Sequence, residues 1–192
     1  TGCRLITYAP ESASEETLRQ IKKKIKIDRL IQSIRTANKI GHTTKFNIVI
    51  GFPDDTLGGI LKTAWFVFKM ALFGSEDCVV TKFSPYPGSE LYRRLRDENK
   101  IPPPDDNYIY SLAGFMDFTR TESYCKKVGG RTLSFLVIVM HAIFYSVAYL
   151  THPKRIFRVF KSLTKKHFVP SNVLEQRLYD VFMREKYSAA KN

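Results

Sequence analysis

Three short stretches hold residues able to do chemistry. Glu11 and Ser12 follow the apolar run RLITYAP, Gly51-Phe52-Pro53-Asp54-Asp55 follows NIVI, and Phe83-Ser84-Pro85 follows CVVTK. The carboxylates of Glu11 and Asp55 can accept hydrogen bonds from ribose hydroxyls, an exocyclic amine or an ammonium. Gly51 lets a flat ring approach the backbone, with Phe52 and Pro53 as an apolar wall. Phe83, Ser84 and Pro85 offer a second wall and backbone hydrogen-bonding groups. A phosphate cradle calls for glycines, a lysine and helix N–H groups instead, and neither G-x-x-x-x-G-K-[ST] nor G-x-G-x-x-G occurs. The set fits an adenosine-like ligand of little negative charge. Each stretch also has an ordinary use: Glu11 as a charge beside a Ser12 helix cap, Asp55 as the cap of the next helix, SPYPG as a turn.

The elements that must position these loops can be read as three strand–loop–helix units. RLITYAP leads into ESASEETLRQIKKKI, where Ser12 and Glu15 have capping-box spacing and Leu18, Ile21 and Ile25 share a helical face. A second helix, DRLIQSIRTANKIG, turns Leu30, Ile31, Ile34 and Ala37 inward and places Gly41 as its C-terminal stop. TKFNIVIGFP leads into TLGGILKTAWFVFKMALFG, apolar nearly all round after Leu61 and so expected to be heavily buried. DCVVTKFSPYPG leads into the amphipathic SELYRRLRDENK. Strands alternating with helices predict an α/β fold with a parallel sheet and right-handed crossovers. All three loops then lie at the carboxyl ends of strands, where such sheets bind ligands.

IPPPDD closes this first region, 1–100, and opens a proline- and aromatic-rich connector over 101–130. Residues 131–192 are expected to be a helical extension. Leu133 to Leu150 carries no charged side chain, slightly short of the ~20 residues a spanning helix needs. Ser134, His141, Tyr145 and Tyr149 fall near one stripe at helical spacing, so a buried or interfacial helix is favoured over a spanning one, with His141 a helix histidine rather than a ligand. Cations flank both ends, so charge bias gives no orientation. In THPKRIFRVFKSLTKKHF, Ile156, Phe157, Phe160 and Leu163 form an apolar stripe opposite Lys154, Arg155, Arg158, Lys161 and Lys165. The stripe is expected to pack on the domain; the competing use is to lie on anionic lipid. NVLEQRLYDVFMREKY is expected to form a last helix.

The chain has 192 residues, 44% hydrophobic and 26% charged, enough for one domain with a core. Its net charge of +13 sits at the two ends: an excess of six over residues 1–50, balance over 51–150, and an excess of seven over 151–192. That pattern suits an anionic neighbour (a membrane surface, a nucleic acid or an acidic domain) and equally suits plain solvated helix faces. Nucleic acid is the less favoured, because the basic faces lack regularly interleaved aromatics for base stacking. Cys3, Cys78 and Cys125 form no Cys-x-x-Cys and no Cys/His cluster, which argues against a disulfide framework or a closed metal site. Cys3 and Cys78 are expected to be buried, inert thiols. A reducing, cytoplasmic location follows, with residues 131–166 as the candidate contact for a peripheral membrane association. The opening Thr1-Gly2-Cys3-Arg4 suggests a fragment or a processed chain.

The wording of the loops goes further. GCRLITYAPESASEETLRQIKKKI, IVIGFPDDT and KFSPYPGSELY, in that order over about residues 1–95, resemble the radical S-adenosylmethionine superfamily. More narrowly, they resemble its cobalamin-binding-type members, which carry Glu-Ser after the fourth barrel strand, Gly-Phe-Pro-Gly-Glu-Thr after the fifth and Thr-Pro-Tyr-Pro-Gly-Thr after the sixth. YLTHPKRIFRVFKSL is similar to the helical extension of those members. The resemblance implies the C-terminal half of a partial TIM-type (βα) barrel with S-adenosylmethionine bound at its mouth. It implies Glu11 and Ser12 near the ribose or methionine part, Gly51, Phe52, Pro53 and Asp55 near adenine, and Phe83, Ser84 and Pro85 on adenine's other side. Lys23 stands where many members carry an arginine for the methionine carboxylate; lysine keeps the charge without the bidentate fork. Asp54-Asp55 replaces Gly-Glu, and Ser84 replaces Thr. The Cys-x-x-x-Cys-x-x-Cys motif that ligates the [4Fe–4S] cluster is missing from residues 1–192, as is a cobalamin-binding region, so both are expected outside this chain. The resemblance assigns no general acid, base or nucleophile, and the small-molecule substrate is unspecified. Two other readings stand beside it: an RNA methylthiotransferase-like enzyme, and a non-catalytic membrane-associated binding protein.

Overall fold

The computed structural model describes residues 2–102, 104–113, 122–163 and 174–176. It is a mixed α/β structure built on a three-stranded parallel sheet in the order β1 (Leu5–Glu11), β2 (Thr43–Ile50), β3 (Asp77–Lys82). Phe46 of β2 lies opposite Tyr8 of β1 and Cys78 of β3. Helices α1 (Glu15–Gln20) and α2 (Ile27–Lys39) connect β1 to β2, and α3 (Leu57–Leu72) connects β2 to β3. Beyond the sheet come α4 (Glu90–Asp97), α5 (Asp106–Ala113), α6 (Gly130–Thr151) and α7 (Lys154–Leu163).

Strand alternation decides where the core sits. Thr44, Phe46, Ile48 and Ile50 are buried, while Thr43, Lys45, Asn47 and Val49 on the opposite face are only half-buried. The buried face meets Ile34 of α2, Ile60, Phe66 and Met70 of α3, and Leu133, Val137, Met140 and Phe144 of α6. Phe46 packs edge-to-face on both Phe66 and Phe144, with ring centroids 5.6 Å apart in each pair. A smaller cluster joins Tyr92 and Leu95 of α4 to Tyr108 and Leu112 of α5, so the segment after IPPPDD is partly helical rather than a pure connector.

α6 is a 22-residue helix long and apolar enough to cross a membrane by length and composition. Its inner face is nevertheless part of the core, as favoured from the sequence. It also covers the edge of β3: the His141 ring accepts from the Val80 N–H at 3.3 Å through Nε2 while Nδ1 faces the Val137 carbonyl at 2.9 Å. Tyr145 donates to Asp77 at 2.7 Å. His141 is thus a helix histidine, satisfied by backbone groups.

Several expectations are corrected. The first helix is capped by Ser14, whose hydroxyl accepts from the Thr17 N–H, rather than by Ser12. It ends at Gln20 because Lys22 takes a left-handed conformation, φ 58°, leaving Ile25 off the helix. α3 is capped by Thr56, not Asp55. It is buried on one side only: Leu57, Leu61, Trp65 and Leu72 face outward, because a helix lying on a sheet meets neighbours around only part of its circumference. Cys3 is exposed and Cys78 buried. In α7, Arg155 is buried and Ile156 and Phe157 are exposed, the reverse of the expected packing at these three positions; the side chains of Phe160 and Leu163 lie outside the described residues. The stop at Gly41 holds: φ is 92° and the His42 N–H returns to the Ala37 carbonyl at 3.0 Å. Of the expected last helix, all but residues 174–176 lies outside the described residues.

Candidate functional site

The carboxyl ends of β1, β2 and β3 bring the three sequence loops to one edge of the sheet. At the first, the pairing register shifts between Tyr8 and Glu11, and Glu11 itself is left-handed, φ 66°. Its half-buried carboxylate meets Lys23, whose ammonium donates to Glu11 Oε1 at 2.8 Å and to the Ala9 carbonyl. A cation and an anion therefore stand side by side where β1 ends. Ser12 turns the other way: it is buried, its hydroxyl shares a hydrogen bond with Thr63 of α3 at 3.2 Å and accepts the Ser14 N–H.

At the second loop the acids divide their work. Asp55 is 3% exposed and accepts three hydrogen bonds, from Gly51 N–H at 2.9 Å, Phe52 N–H at 3.1 Å and the Thr17 hydroxyl at 2.7 Å. Burial pushes its carboxyl above the usual range against the pull of those donors. Asp54 instead pairs with Arg94 at 2.7 Å and Lys126 at 3.4 Å, and the Arg94 hydrogen bond holds its carboxyl below the usual range. Gly51 has φ 85°, a conformation that favours glycine, and a Cβ there would sit 2.6 Å from Leu133 Cδ1, so the Leu133 side chain would have to shift. Phe52 and Phe83 come together with ring centroids 5.0 Å apart, and Tyr124 adds an edge-on contact to Phe83 at 6.3 Å. Pro53 is buried, and its carbonyl accepts the Lys126 N–H at 3.0 Å. Pro85 is buried with its carbonyl accepting from the Tyr108 hydroxyl, while Ser84 is half-buried with no hydrogen-bond partner among the described residues.

The structure thus joins Glu11 with Lys23 and Phe52 with Phe83, and ties Ser12 to Thr63 of α3 and Asp55 to Thr17 of α1 and its own loop backbone. Thr17, Thr63, Arg94, Tyr108, Tyr124 and Lys126 have no local sequence signal, because each reaches the site from a distant element. The segment around Tyr124 straps onto the second loop and borders a cleft of about 740 Å³ lined also by Tyr108 and Ser111. The larger cleft, about 1180 Å³, lies at the opposite end of the strands between α2 and the α6–α7 turn.

The chemistry of these residues fits S-adenosylmethionine in part. Its amino-acid end is a zwitterion, complementary to adjacent lysine and glutamate, and its adenine is a flat ring suited to an aromatic wall. An iron–sulfur cluster does not fit the described residues: no group of three His, Cys, Asp or Glu converges among them, and Cys78 is fully buried with its thiol pushed well up by burial.

No family model matches the chain. Over 91 residues it is 33% identical to an uncharacterized methyltransferase of Pyrococcus horikoshii. The match covers 47% of this chain and 19% of that protein, so the chain aligns with about a fifth of its relative's length.

Proposed function

We propose that this chain is part of an S-adenosylmethionine-dependent methyltransferase and holds the cofactor at the carboxyl edge of its sheet. The observation that carries the reading is the Glu11–Lys23 pair beside the Gly51–Asp55 and Phe83–Pro85 loops on one sheet edge. Partial similarity to a protein named a methyltransferase supports the same reaction class. S-adenosylmethionine supplies a methyl group on a sulfonium. The chain's own residues would bind and orient it. Lys23 would face the methionine carboxylate and Glu11 the ammonium or ribose hydroxyls. Phe52 and Phe83 would wall the adenine, with Asp55 holding the Gly51–Phe52 backbone in place. The finer reading is a radical S-adenosylmethionine enzyme of the cobalamin-binding type, with this sheet as part of a barrel and the cluster ligands and any cobalamin site outside residues 1–192. Its support is the ordered likeness of the three loops.

Titration calorimetry with S-adenosylmethionine and S-adenosylhomocysteine tests the binding claim. Lys23→Ala and Phe83→Ala should each weaken affinity about tenfold, with Lys23→Arg close to the parent. Absence of binding at millimolar ligand, or indifference to both alanine variants, would refute the assignment of this edge. For the finer reading, the protein as expressed in its host is reconstituted anaerobically with iron and sulfide. A cluster absorption band supports it, and methyl transfer without any cluster sinks it.

A further inference from the structure

α7 is docked inside out for a helix in water. Arg155 is 7% exposed, donating to the Ser75 carbonyl at 3.0 Å and the Gly74 carbonyl at 2.8 Å and pairing with Glu76 at 3.2 Å. Arg158 pairs with Glu76 and with the buried Glu175 at 2.7 Å. Meanwhile Phe157 is 74% exposed and Ile156 also faces outward. An amphipathic helix surrounded by water places its arginines outside and its phenylalanine inside. The ion pairs to Glu76 and Glu175 fix this orientation and leave Ile156 and Phe157 exposed.

The same holds for two longer helices. α3 and α6 pack on one another over the sheet and both turn apolar side chains outward: Leu57, Leu61 and Trp65 from α3, Phe135, Ile138 and Leu150 from α6. Trp65 stacks on Phe68 with centroids 5.0 Å apart, which holds its ring at the surface. The charged residues of these helices themselves are all basic, and the carboxylates that touch them, Glu76, Asp77 and Glu175, are buried. From Ser123 to Leu174 the sequence holds nine Lys or Arg and no Asp or Glu, and from Thr56 to Ser75 it holds Lys62 and Lys69 and no acid. Among the described residues, Lys62, Lys127, Arg131 and Lys154 pair with no carboxylate.

We propose that this outer face, α3, α6 and the exposed side of α7, docks on an anionic lipid bilayer and lies in its interface. Apolar side chains supply the insertion and the unpaired cations supply the attraction to anionic headgroups. A second protein copy suits the face less well, because two like-charged rims would then meet. α6 lies on the membrane rather than across it. Leu133, Val137, Met140 and Phe144 are held in the core, and His141 and Tyr145 are hydrogen-bonded to β3.

Trp65 is the chain's single tryptophan and so reports on α3 directly. The 192-residue chain is mixed with vesicles of phosphatidylcholine alone, or with about a third phosphatidylserine. It should sediment with the anionic vesicles only, and less so as salt is raised. Trp65 emission should shift to the blue and become quenchable by brominated lipid. Phe157→Glu and Phe135→Glu, both at exposed positions, should each lower partitioning about tenfold with unchanged circular dichroism and melting temperature. Failure to bind anionic vesicles overturns the proposal. So does full retention of both variants with unmoved Trp65 emission, which would leave only nonspecific attraction of basic side chains. A concentration-dependent dimer that blue-shifts Trp65 without lipid also overturns it, in favour of self-association.

Discussion

Asp55 offers the sharpest check on how the second loop is held. Its carboxylate satisfies two backbone N–H groups and one hydroxyl while 3% exposed. Asp55→Ala strands the Gly51 and Phe52 N–H groups and the Thr17 hydroxyl. At about 1–3 kcal/mol for each buried orphan, less the relief of a carboxylate that burial disfavours, the expected loss is about 2–4 kcal/mol. Asp55→Asn should behave differently. Its amide oxygen can take the place of Oδ2 before both N–H groups, and its NH2 can donate to Thr17, whose hydroxyl then turns to accept. The charge assistance is lost while the burial cost of the charge is relieved, so a loss of about 1 kcal/mol or less is expected. Urea unfolding followed by circular dichroism gives both values. The pH dependence adds a second axis. A carboxyl raised in the folded state contributes stability that is fully present below its unfolded value and lost as pH rises through its folded one. Parent stability relative to Asp55→Asn should therefore grow as pH falls through that folded value and level off below the ordinary aspartate range. Alanine and asparagine variants of equal stability would refute the hydrogen-bond account, and a pH-independent difference would refute the burial account.

Gly51→Ala should destabilise by about 1–3 kcal/mol, combining a left-handed backbone with a Cβ 2.6 Å from Leu133 Cδ1. In a Leu133→Ala background the steric part should vanish and about 1 kcal/mol remain, read from a double-mutant cycle in urea. Arg155→Met should lower stability by about 2–4 kcal/mol, because the Gly74 and Ser75 carbonyls lose their donor and buried Glu76 keeps only Arg158. Thermal melting checks this, and a melting temperature equal to the parent's would show that α7 is held by other contacts.

What the sequence settled by itself is local and periodic. Alternation of apolar residues in TKFNIVI dictates a strand with one buried face, and two helical connections between strands dictate a parallel sheet. Gly41, with no Cβ to clash, dictates where α2 stops. From these follow the order of elements and the gathering of three loops at one sheet edge. What each loop residue does there was decided by partners far along the chain. Asp55 became a clasp because Thr17, 38 residues away, lies beside it. At Gly51 the left-handed backbone favours glycine, and Leu133 of α6 sits where a Cβ would go. α7 turned its arginines inward because Glu76, at the start of β3, and Glu175 offered buried carboxylates, and an ion pair across such distances leaves no mark in helical periodicity. Periodicity reports which side of an element is apolar; only the tertiary fold determines which side finds a neighbour.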